Sequence, residues 1–183
     1  YPKTLAVDIQ KLESENTDLL FMPDYRGIYP DEYRYKISEG AESSSLCGAF
    51  RPGHFDGVLT VVMKLLNIIG ASRAYFGEKD YQQYMLIKGM AEAFFLDTEI
   101  IPCPTVREED GLAMSSRNAL LTPAQRRLAP RFHQLLSSSG TPAKIKRDLK
   151  ACGLRPEYVE NRRGRRFGAV KLGKTRLIDN VKL

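Results

Sequence analysis

The chain has 183 residues, 43% of them hydrophobic, which is typical of a soluble globular protein with one large core or two modest ones. No apolar run reaches the roughly 18 residues of a membrane span, so we expect no membrane association. The formal net charge of +6 is compatible with anionic partners but does not distinguish a nucleic acid from a nucleotide. Three widely spaced cysteines indicate neither a zinc site nor a disulfide framework, and they favour a reducing cytoplasm.

The amino-terminal third predicts a helix, a short strand and a long irregular segment. Apolar residues recur at helical spacing from Leu5 to Leu12 among charged residues, which indicates an amphipathic surface helix. Leu19 to Met22 is predicted to form a short buried strand. Turn-forming residues dominate positions 24–53, so we predict a long loop there with at most short strands.

The next segment has the alternation of helices and strands that is typical of a parallel α/β sheet. Val58 to Ile69 carries a continuous apolar stripe that ends at Gly70, which predicts a helix. Ala74 to Phe76 predicts a strand, and the pattern from Asp80 to Phe95 predicts the helix after it. Thr98 to Cys103 predicts the following strand.

The turn Gly77-Glu78-Lys79-Asp80 lies between the carboxyl end of a predicted strand and the amino end of a predicted helix. Free N–H groups and the helix dipole attract an anion at such a turn. Lys79 adds a positive charge, and Gly77 permits close approach of the backbone to a ligand. The turn therefore predicts an anion site with phosphate as the favoured ligand. The alternative is an ordinary surface turn with solvated charges.

The carboxyl-terminal part predicts a smaller unit of helices and strands. Thr122 to Gln125 is a capping box that starts a helix running to about Leu136, and Pro142 to Cys152 predicts another helix. Three segments predict a small antiparallel sheet: Tyr158-Val159, Phe167 to Leu172 and Thr175 to Val181. Gly173-Lys174 predicts a two-residue hairpin turn of type II′.

Other polar clusters have simple structural explanations on residue type alone. Met114 to Arg117 has the composition of a flexible linker, although two hydroxyls beside a guanidinium can also surround phosphate oxygens. We interpret Arg51 as a surface cation, His54 as a residue at the start of a helix, and His133 as structural. The four arginines between positions 162 and 166 have a single aromatic neighbour. They therefore favour a solvated face or an interface rim over an RNA site.

Five segments, in the right order, resemble successive signatures of the pantothenate synthetase family. They are Tyr1 to Thr4, Arg51 to Val58, Phe76 to Gln83, Asp110 to Asn118, and Thr175 to Asn180. The resemblance implies an α/β fold with a Rossmann-like parallel sheet of the nucleotidylyltransferase type, incomplete at its amino end, in residues 1–105. It also implies a small α+β lid domain in residues 106–183 and assembly as a homodimer.

The resemblance implies the reaction as well. Pantoate and ATP give pantoyl adenylate and pyrophosphate, and β-alanine then attacks the acyl group to release AMP and pantothenate, with Mg²⁺ as the cofactor. By resemblance, the catalytic residues are Lys79, Ser115, Ser116 and Arg117. The ATP-binding residues are Gly77, Glu78, Lys79, Asp80, Val106, Met114, Ser115, Ser116 and Arg117. Gln83 corresponds to a pantoate-binding glutamine, and no residue is assigned to the metal.

The sequence departs from the family at its amino end, because the family's pair of closely spaced histidines has no counterpart here. The chain also starts at Tyr1 rather than Met. We therefore expect that it lacks an amino-terminal segment and has little turnover by itself. Two alternatives remain: another adenylate-forming or nucleotidyl-transferring enzyme of the same superfamily, and a non-catalytic basic module that binds nucleic acid. Gln83 and the Arg51 to Phe55 segment distinguish pantothenate synthetase from other enzymes of the superfamily, since they belong to the family's pantoate side.

Overall fold

The structure is a computed structural model that describes residues 4–183, so the first signature lies outside the described residues except for Thr4. The chain forms two compact units, one that ends at Tyr35 and one that runs from Lys36 to Leu183. The helices are α1 Leu5–Ser14, α2 Tyr25–Ile28, α3 His54–Ile69, α4 Tyr81–Ala93, α5 Pro123–Leu128, α6 Pro130–Leu136 and α7 Pro142–Ala151. The strands are β1 Arg73–Gly77, β2 Glu99–Cys103, β3 Arg155–Arg162, β4 Arg165–Leu172 and β5 Thr175–Lys182.

The first unit confirms the predicted amphipathic helix as α1, in which no side chain is buried. The strand predicted at Leu19 to Met22 is wrong. The segment has no regular structure, and its side chains are exposed, from 41% for Phe21 to 78% for Leu19. A strand is stable only when its N–H and C=O groups pair with a neighbouring strand. Within residues 4–183 the paired strands are β1 to β5, and none of them pairs with this segment.

The predicted loop of positions 24–53 begins in the first unit, where the short helix α2 was not predicted, and its second-unit part contains two short 3₁₀ turns, Glu42–Ser44 and Gly48–Phe50. Helix α3 follows as predicted and ends at Gly70, whose φ of 61° is the left-handed conformation that glycine adopts without strain. Strands β1 and β2 pair in parallel, and α4 contacts both of them. Helix α4 ends earlier than predicted, because Phe95 has a φ of 54° and is 91% exposed.

The predicted helix from the Thr122 capping box to Leu136 is divided in two. The capping box is present and α5 starts at Pro123. The helix is interrupted at Ala129, and α6 begins at Pro130. Proline has no backbone N–H and its ring clashes with the preceding turn, so it starts a new helix rather than continuing one. None of the helices in residues 4–183 has the length and apolarity needed to cross a membrane.

The antiparallel sheet has the order β3-β4-β5 and contacts α6 and α7. Its central strand, β4, is buried on both faces. Alternate residues point to opposite sides of a strand, and each side of β4 packs on a different hydrophobic core. Phe167 and Ala169 belong to the hydrophobic core that α3 and α4 share, whereas Val170 and Leu172 belong to the core around α6 and α7. At Gly168 a Cβ atom would lie 2.8 Å from a methyl carbon of Leu136, so this close approach requires glycine.

Two hairpin turns connect the strands of this sheet. Gly173 has a φ of 58° and Lys174 does not have a positive φ, which agrees with the predicted type II′ turn. The turn between β3 and β4 was not predicted; Arg163 and Gly164 both have positive φ, as a type I′ turn requires. The predicted domain boundary between residues 105 and 106 falls between the two sheets and stays a prediction.

Candidate active site

The turn after β1 is held by residues of two strands of the antiparallel sheet, β4 and β5. Residues Glu78–Asp80 form a single 3₁₀ turn that leads into α4. Asn180 of β5 donates from Nδ2 to the carbonyl oxygens of Glu78 and Lys79, at 2.7 and 3.2 Å. Asn180 therefore fixes the backbone of the turn and does not use the charged side chains of Lys79 and Asp80.

Arg165 of β4 supports the same turn and is almost completely buried, with 7% of its surface exposed. Its guanidinium donates to the Glu78 carboxylate at 2.7 Å and to Oδ1 of Asn180 at 2.6 Å. It also lies 3.9 Å from the centre of the Tyr81 ring, a favourable cation–π distance. The Glu78 carboxylate is therefore committed to Arg165, and its predicted contact with ATP stays a prediction.

Arg166 contradicts the interpretation of the arginine cluster as a solvated face. It is 5% exposed and donates to the carbonyl oxygens of Leu136, the last residue of α6, and of Ser138 and Gly140, which follow the helix. The carbonyl groups at a helix end have no partners within the helix, so a buried guanidinium there satisfies several of them at once. Two of the four arginines are thus structural, and the nucleic-acid alternative loses much of its predicted basic surface.

The loop that contains Met114 to Arg117 is anchored at its base. Arg107 makes a bidentate ion pair with Asp179 of β5, at 2.8 and 3.0 Å, and also donates to the carbonyl of Gly111. Asn118 closes the loop by donating to Glu108 and to the carbonyl of Ala113. The loop is mostly irregular, as predicted, but it ends in a 3₁₀ turn at Ser116–Leu120 and is not a free linker.

Asp179 is the buried centre of this anchor, and it also contacts Nδ1 of His133 at 3.0 Å. Burial by itself would raise the pKa of this carboxyl. The hydrogen bonds from His133 and Arg107 outweigh that effect and hold the pKa below its usual value of 3.8. Asp179 is therefore ionised at neutral pH. The prediction that His133 is structural is confirmed, since its partner belongs to the loop anchor.

A narrow cleft of about 10 Å³ brings together residues from the turn and from the loop. Lys79 contributes from the turn, Ser115 and Arg117 from the loop, and Arg176 from β5. The Lys79 ammonium lies 3.7 Å from the Asp80 carboxylate, and its side chain is 20% exposed. The turn and the loop, which only the family resemblance assigned to one site, thus lie next to each other beside β5. Three cationic side chains around one cleft form an environment that favours an anion.

Arg176 is fixed by groups outside the cleft. Its guanidinium donates to Glu157 at 2.7 Å and lies 3.6 Å from the sulfur of Cys47. Cys47 in turn contacts the hydroxyl of Tyr158 at 3.0 Å. A guanidinium that is already oriented by a carboxylate can interact with an anion without losing further rotational freedom.

Arg51 and His54 lie at the start of α3 and pair with each other, with 2.8 Å between Nη1 and Nε2. An arginine can only donate, so Nε2 of His54 accepts and the proton of the neutral ring is on Nδ1. Burial lowers the pKa of His54 below 6.5, and the charges of Arg51 and Arg176 lower it further. His54 begins the helix as predicted, but Arg51 is half-buried rather than a free surface cation.

The other predicted ATP-binding residues lie outside the cleft lining. Val106 and Met114 are 66% and 55% exposed, and they are joined by a hydrogen bond from the Met114 amide to the Val106 carbonyl at 3.0 Å. Ser116 is also exposed. Gly77 is exposed, and a Cβ atom there would meet no atom within 4 Å. The protein's own packing thus does not require glycine at this position, and space remains for a ligand to approach the backbone.

Two adjacent glutamines on α4 have different environments. Gln82 accepts from the amide of Cys47 and donates to the carbonyls of Glu42 and Ser45, so it fastens the preceding loop. Gln83, the predicted pantoate ligand, is half-buried. Its side chain makes no hydrogen bond to any other residue within 4–183, so its amide is available to a ligand.

Sequence reasoning missed five residues that shape this site: Arg107, Arg165, Arg176, Asp179 and Asn180. Three of them lie in the Thr175 to Asn180 signature, which was noticed without a role. That signature was the available signal. Arg165 gave the opposite signal, because it is part of a basic cluster that resembled an exposed surface.

A larger cavity of about 380 Å³ lies on another face of α4. It is lined mainly by apolar side chains of α4, including Met85 and Met90, with Glu42 and the Arg162-Arg163 pair among the polar ones. None of the predicted site residues lines it. We therefore place the candidate active site at the smaller cleft, where the charged groups converge.

Comparisons with known proteins show the family to which the chain belongs. The Pantoate-beta-alanine ligase family profile matches residues 1–182. The chain is 54% identical over 183 residues to a pantothenate synthetase of Bdellovibrio bacteriovorus and 49% identical to one of Legionella pneumophila; it covers 73% of each. It resembles a crystal structure of a pantoate-beta-alanine ligase from Francisella tularensis complexed with beta-gamma ATP and beta-alanine. That similarity has a TM-score of 0.94 and 41% identity, and it covers all of this chain and 71% of the other. A Thermus thermophilus pantothenate synthetase gives a TM-score of 0.91 at 36% identity and is covered to 75%.

Proposed function

Since the chain belongs to the pantoate-beta-alanine ligase family, we propose that it catalyses the ATP-dependent condensation of (R)-pantoate with β-alanine. The reaction forms pantoyl adenylate and pyrophosphate first. The amine of β-alanine then attacks the acyl carbon, and pantothenate and AMP leave. The observation that carries this proposal is the convergence of Lys79, Ser115 and Arg117 on one cleft in a chain that matches the family along its whole length.

The first half-reaction is the one that the cleft suits. When the pantoate carboxylate attacks the α-phosphorus, negative charge increases on the phosphate oxygens and on the departing pyrophosphate. Lys79, Arg117 and Arg176 supply positive charge where that increase occurs, and the fixed positions of Lys79 and Arg176 avoid reorganisation during the reaction. No protein nucleophile is required, because the carboxylate of the substrate forms the new bond.

The loop residues have a second role in this proposal. Met114 and Ser116 are exposed, whereas the base of the loop is anchored by Arg107. Bound ATP gives the hydroxyls of Ser115 and Ser116 phosphate oxygens to which they can donate. We infer that the loop closes over the nucleotide and excludes water from the adenylate, which would otherwise be hydrolysed. Val106 contacts the adenine side, and Gln83 binds pantoate.

Mg²⁺ is proposed as a companion of the ATP phosphates. In residues 4–183 no group of three or more histidine, cysteine or carboxylate side chains could hold a metal ion by itself. Mg²⁺ is usually bound through one or two carboxylates together with substrate phosphates, so the absence of such a group is compatible with it. Asp80 would supply a carboxylate oxygen, because its side chain is 47% exposed and lies 3.7 Å from Lys79, whereas buried Arg165 holds the Glu78 carboxylate at 2.7 Å. Bound Mg²⁺ would neutralise charge on the leaving pyrophosphate.

The proposal includes an intracellular homodimer. The free thiols of Cys47, Cys103 and Cys152 support a reducing compartment such as the cytoplasm. Ile69 and Tyr75 are large apolar side chains with 54% and 62% of their surface exposed, which supports burial against another chain. Light scattering of the purified protein tests the dimer, and a monomeric mass at micromolar concentration contradicts it.

The activity itself is tested by following AMP and pyrophosphate with ATP, pantoate and β-alanine in the full-length protein. We expect pyrophosphate release to require pantoate and pantothenate formation to require β-alanine. AMP release that continues without pantoate would contradict the assignment and favour another adenylate-forming reaction. Because the chain corresponds to 73% of the length of its relatives, the same assay with residues 1–183 alone measures how much of the activity they contain.

A further inference from the structure

We propose that Asp179 and Asn180, two adjacent residues of β5, are positioning residues that together fix the spacing between the turn and the loop of the ATP site. The inference rests on the proposed function. Asn180 acts through the backbone that carries Lys79, and Asp179 acts through Arg107 on the loop that carries Ser115 and Arg117.

The argument starts from the geometry of a strand. Adjacent residues of β5 point to opposite faces of the sheet. Leu177 and Val181 pack on the core around α6 and α7, whereas Ile178 packs on the core of α3 and α4. Asp179 therefore faces the layer that contains the loop anchor, and Asn180 faces the layer that contains the turn. One dipeptide can hold both segments only because they lie on opposite sides of this strand.

On the turn side, Asn180 is 4% exposed and uses both ends of its amide. Nδ2 donates to the carbonyl oxygens of Glu78 and Lys79, and Oδ1 accepts from Arg165 at 2.6 Å. Arg165 then reaches the carboxylate of Glu78. Asn180 restrains the turn through backbone carbonyl groups, so these contacts do not use the side chain of Lys79.

On the loop side, Asp179 is 4% exposed and accepts hydrogen bonds from Arg107 and His133. Arg107 also donates to the carbonyl of Gly111. The ion pair holds the near end of the loop, while Asn118 closes its far end. The position of Arg117 relative to Lys79 therefore depends on Asp179.

The cleft is narrow, and it is lined by Asp179 together with Lys79, Ser115 and Arg117. A phosphate chain that contacts both segments needs them at a defined separation. A misplacement of about 1 Å can lower a rate on the order of 100-fold. The dipeptide thus sets catalytic geometry through the two segments that it holds.

The sharpest test is Asn180→Asp in the full-length protein. This change retains the oxygen that accepts from Arg165 but removes the donor to the Glu78 and Lys79 carbonyls. The matched control is Asn161→Asp on β3, which makes the same chemical change beside Arg166, two strands away from β5 and outside the cleft lining. We expect the affinity for a non-hydrolysable ATP analogue to fall about 10-fold in Asn180→Asp and to be unchanged in the control.

A double-mutant cycle separates positioning from general stability. If Asn180 acts by placing Lys79, then Asn180→Asp changes the affinity for the analogue less than about 2-fold when Lys79 is already replaced by Ala. A purely structural role gives the same loss in both backgrounds. Equal loss in both backgrounds, or equal behaviour of Asn180→Asp and the Asn161→Asp control, overturns the inference.

Asp179→Asn provides a second test if Asn180→Asp does not fold. It retains the shape of the side chain but removes the charge that pairs with Arg107, and its cycle partner is Arg117→Ala. We expect kcat for pantoate-dependent pyrophosphate release to fall on the order of 10-fold, with the KM for β-alanine unchanged. An unchanged kcat overturns the loop half of the inference. A wild-type protein that releases no pyrophosphate contradicts the proposed function, whereas the affinities for the analogue still decide the inference.

Discussion

The two segments that are predicted to bind ATP are held in different ways. The turn at Glu78–Asp80 is short, and buried Arg165 and Asn180 restrain it through both its backbone and its Glu78 side chain. The loop from Arg107 to Asn118 is anchored at its two ends, but Met114 and Ser116 between them are exposed. One segment is therefore rigid before ligand binds, and the other has a fixed base with an accessible tip.

The difference shows how one site can combine preorganisation with access. A rigid cation stabilises developing charge without reorganisation. A loop with an exposed tip permits nucleotide to enter and then covers it. Both depend on the same edge strand, β5, so the rigid and the adaptable segments share one reference frame.

The largest expected effect is on the rigid segment. Lys79→Ala should lower kcat/KM for pantoate-dependent pyrophosphate release on the order of 100-fold or more, because it removes the charge that we propose lies beside the phosphates. The matched control is Lys88→Ala on α4, the helix that follows the turn, where the exposed lysine pairs with Glu92. Initial rates for the two variants decide the comparison. Similar rates for both would show that the turn does not contact ATP.

The next effect concerns the base of the loop. Arg107→Met leaves the buried Asp179 carboxylate with His133 as its remaining side-chain partner among the described residues. Breaking a buried ion pair on one side costs about 3 kcal/mol of unfolding free energy, or somewhat less here because Arg107 is 24% exposed. Urea unfolding measures the loss. Arg73→Met, which breaks the exposed pair with Glu99, should cost less than about 1 kcal/mol; an equal loss would contradict the anchor.

Hydrogen exchange compares the two segments directly. We expect the amides of Lys79 to Tyr81 to exchange at similar rates with and without an ATP analogue, since the turn is already restrained. The amides of Met114 to Arg117 should become protected about 10-fold or more when the analogue binds, because closure removes them from water. Equal protection of both segments would mean that the turn is not preorganised.

The smallest effect is electrostatic and concerns His54. Its pKa lies below 6.5, mainly because of burial and then because of Arg51 and Arg176. Since the folded-state pKa is depressed, the stability that His54 contributes is present above pH 6.5 and is lost as the pH falls through the folded-state pKa. Arg51→Met should raise this pKa but leave it below 6.5. NMR titration of the His54 ring measures the change, and a decrease would contradict the assigned cause.

Local patterns in the sequence predicted most of the regular elements. The apolar stripe of α3, the strands β1 and β2 and the capping box at Thr122 depend on residues that are neighbours in the chain. The prediction failed at Leu19 to Met22 because a distant partner decides whether a strand forms, and none of the strands in residues 4–183 pairs with this segment. It failed at Pro130 for a local reason, because the apolar pattern continues through a proline that divides the helix.

The sequence by itself determined the chemistry of this protein. It specified a glycine and a lysine after a strand, two serines and an arginine in a loop, and their order along the chain, and these properties need no folded structure to be recognised. The tertiary structure decided how those groups meet and which charges remain available. Arg165 and Arg166 are adjacent arginines in a basic cluster, yet both are buried because strand alternation directs one to the turn and the other to the end of α6. Asp179 and Asn180 acquire their positions by the same alternation, which a linear pattern cannot show until the sheet has partners on both faces.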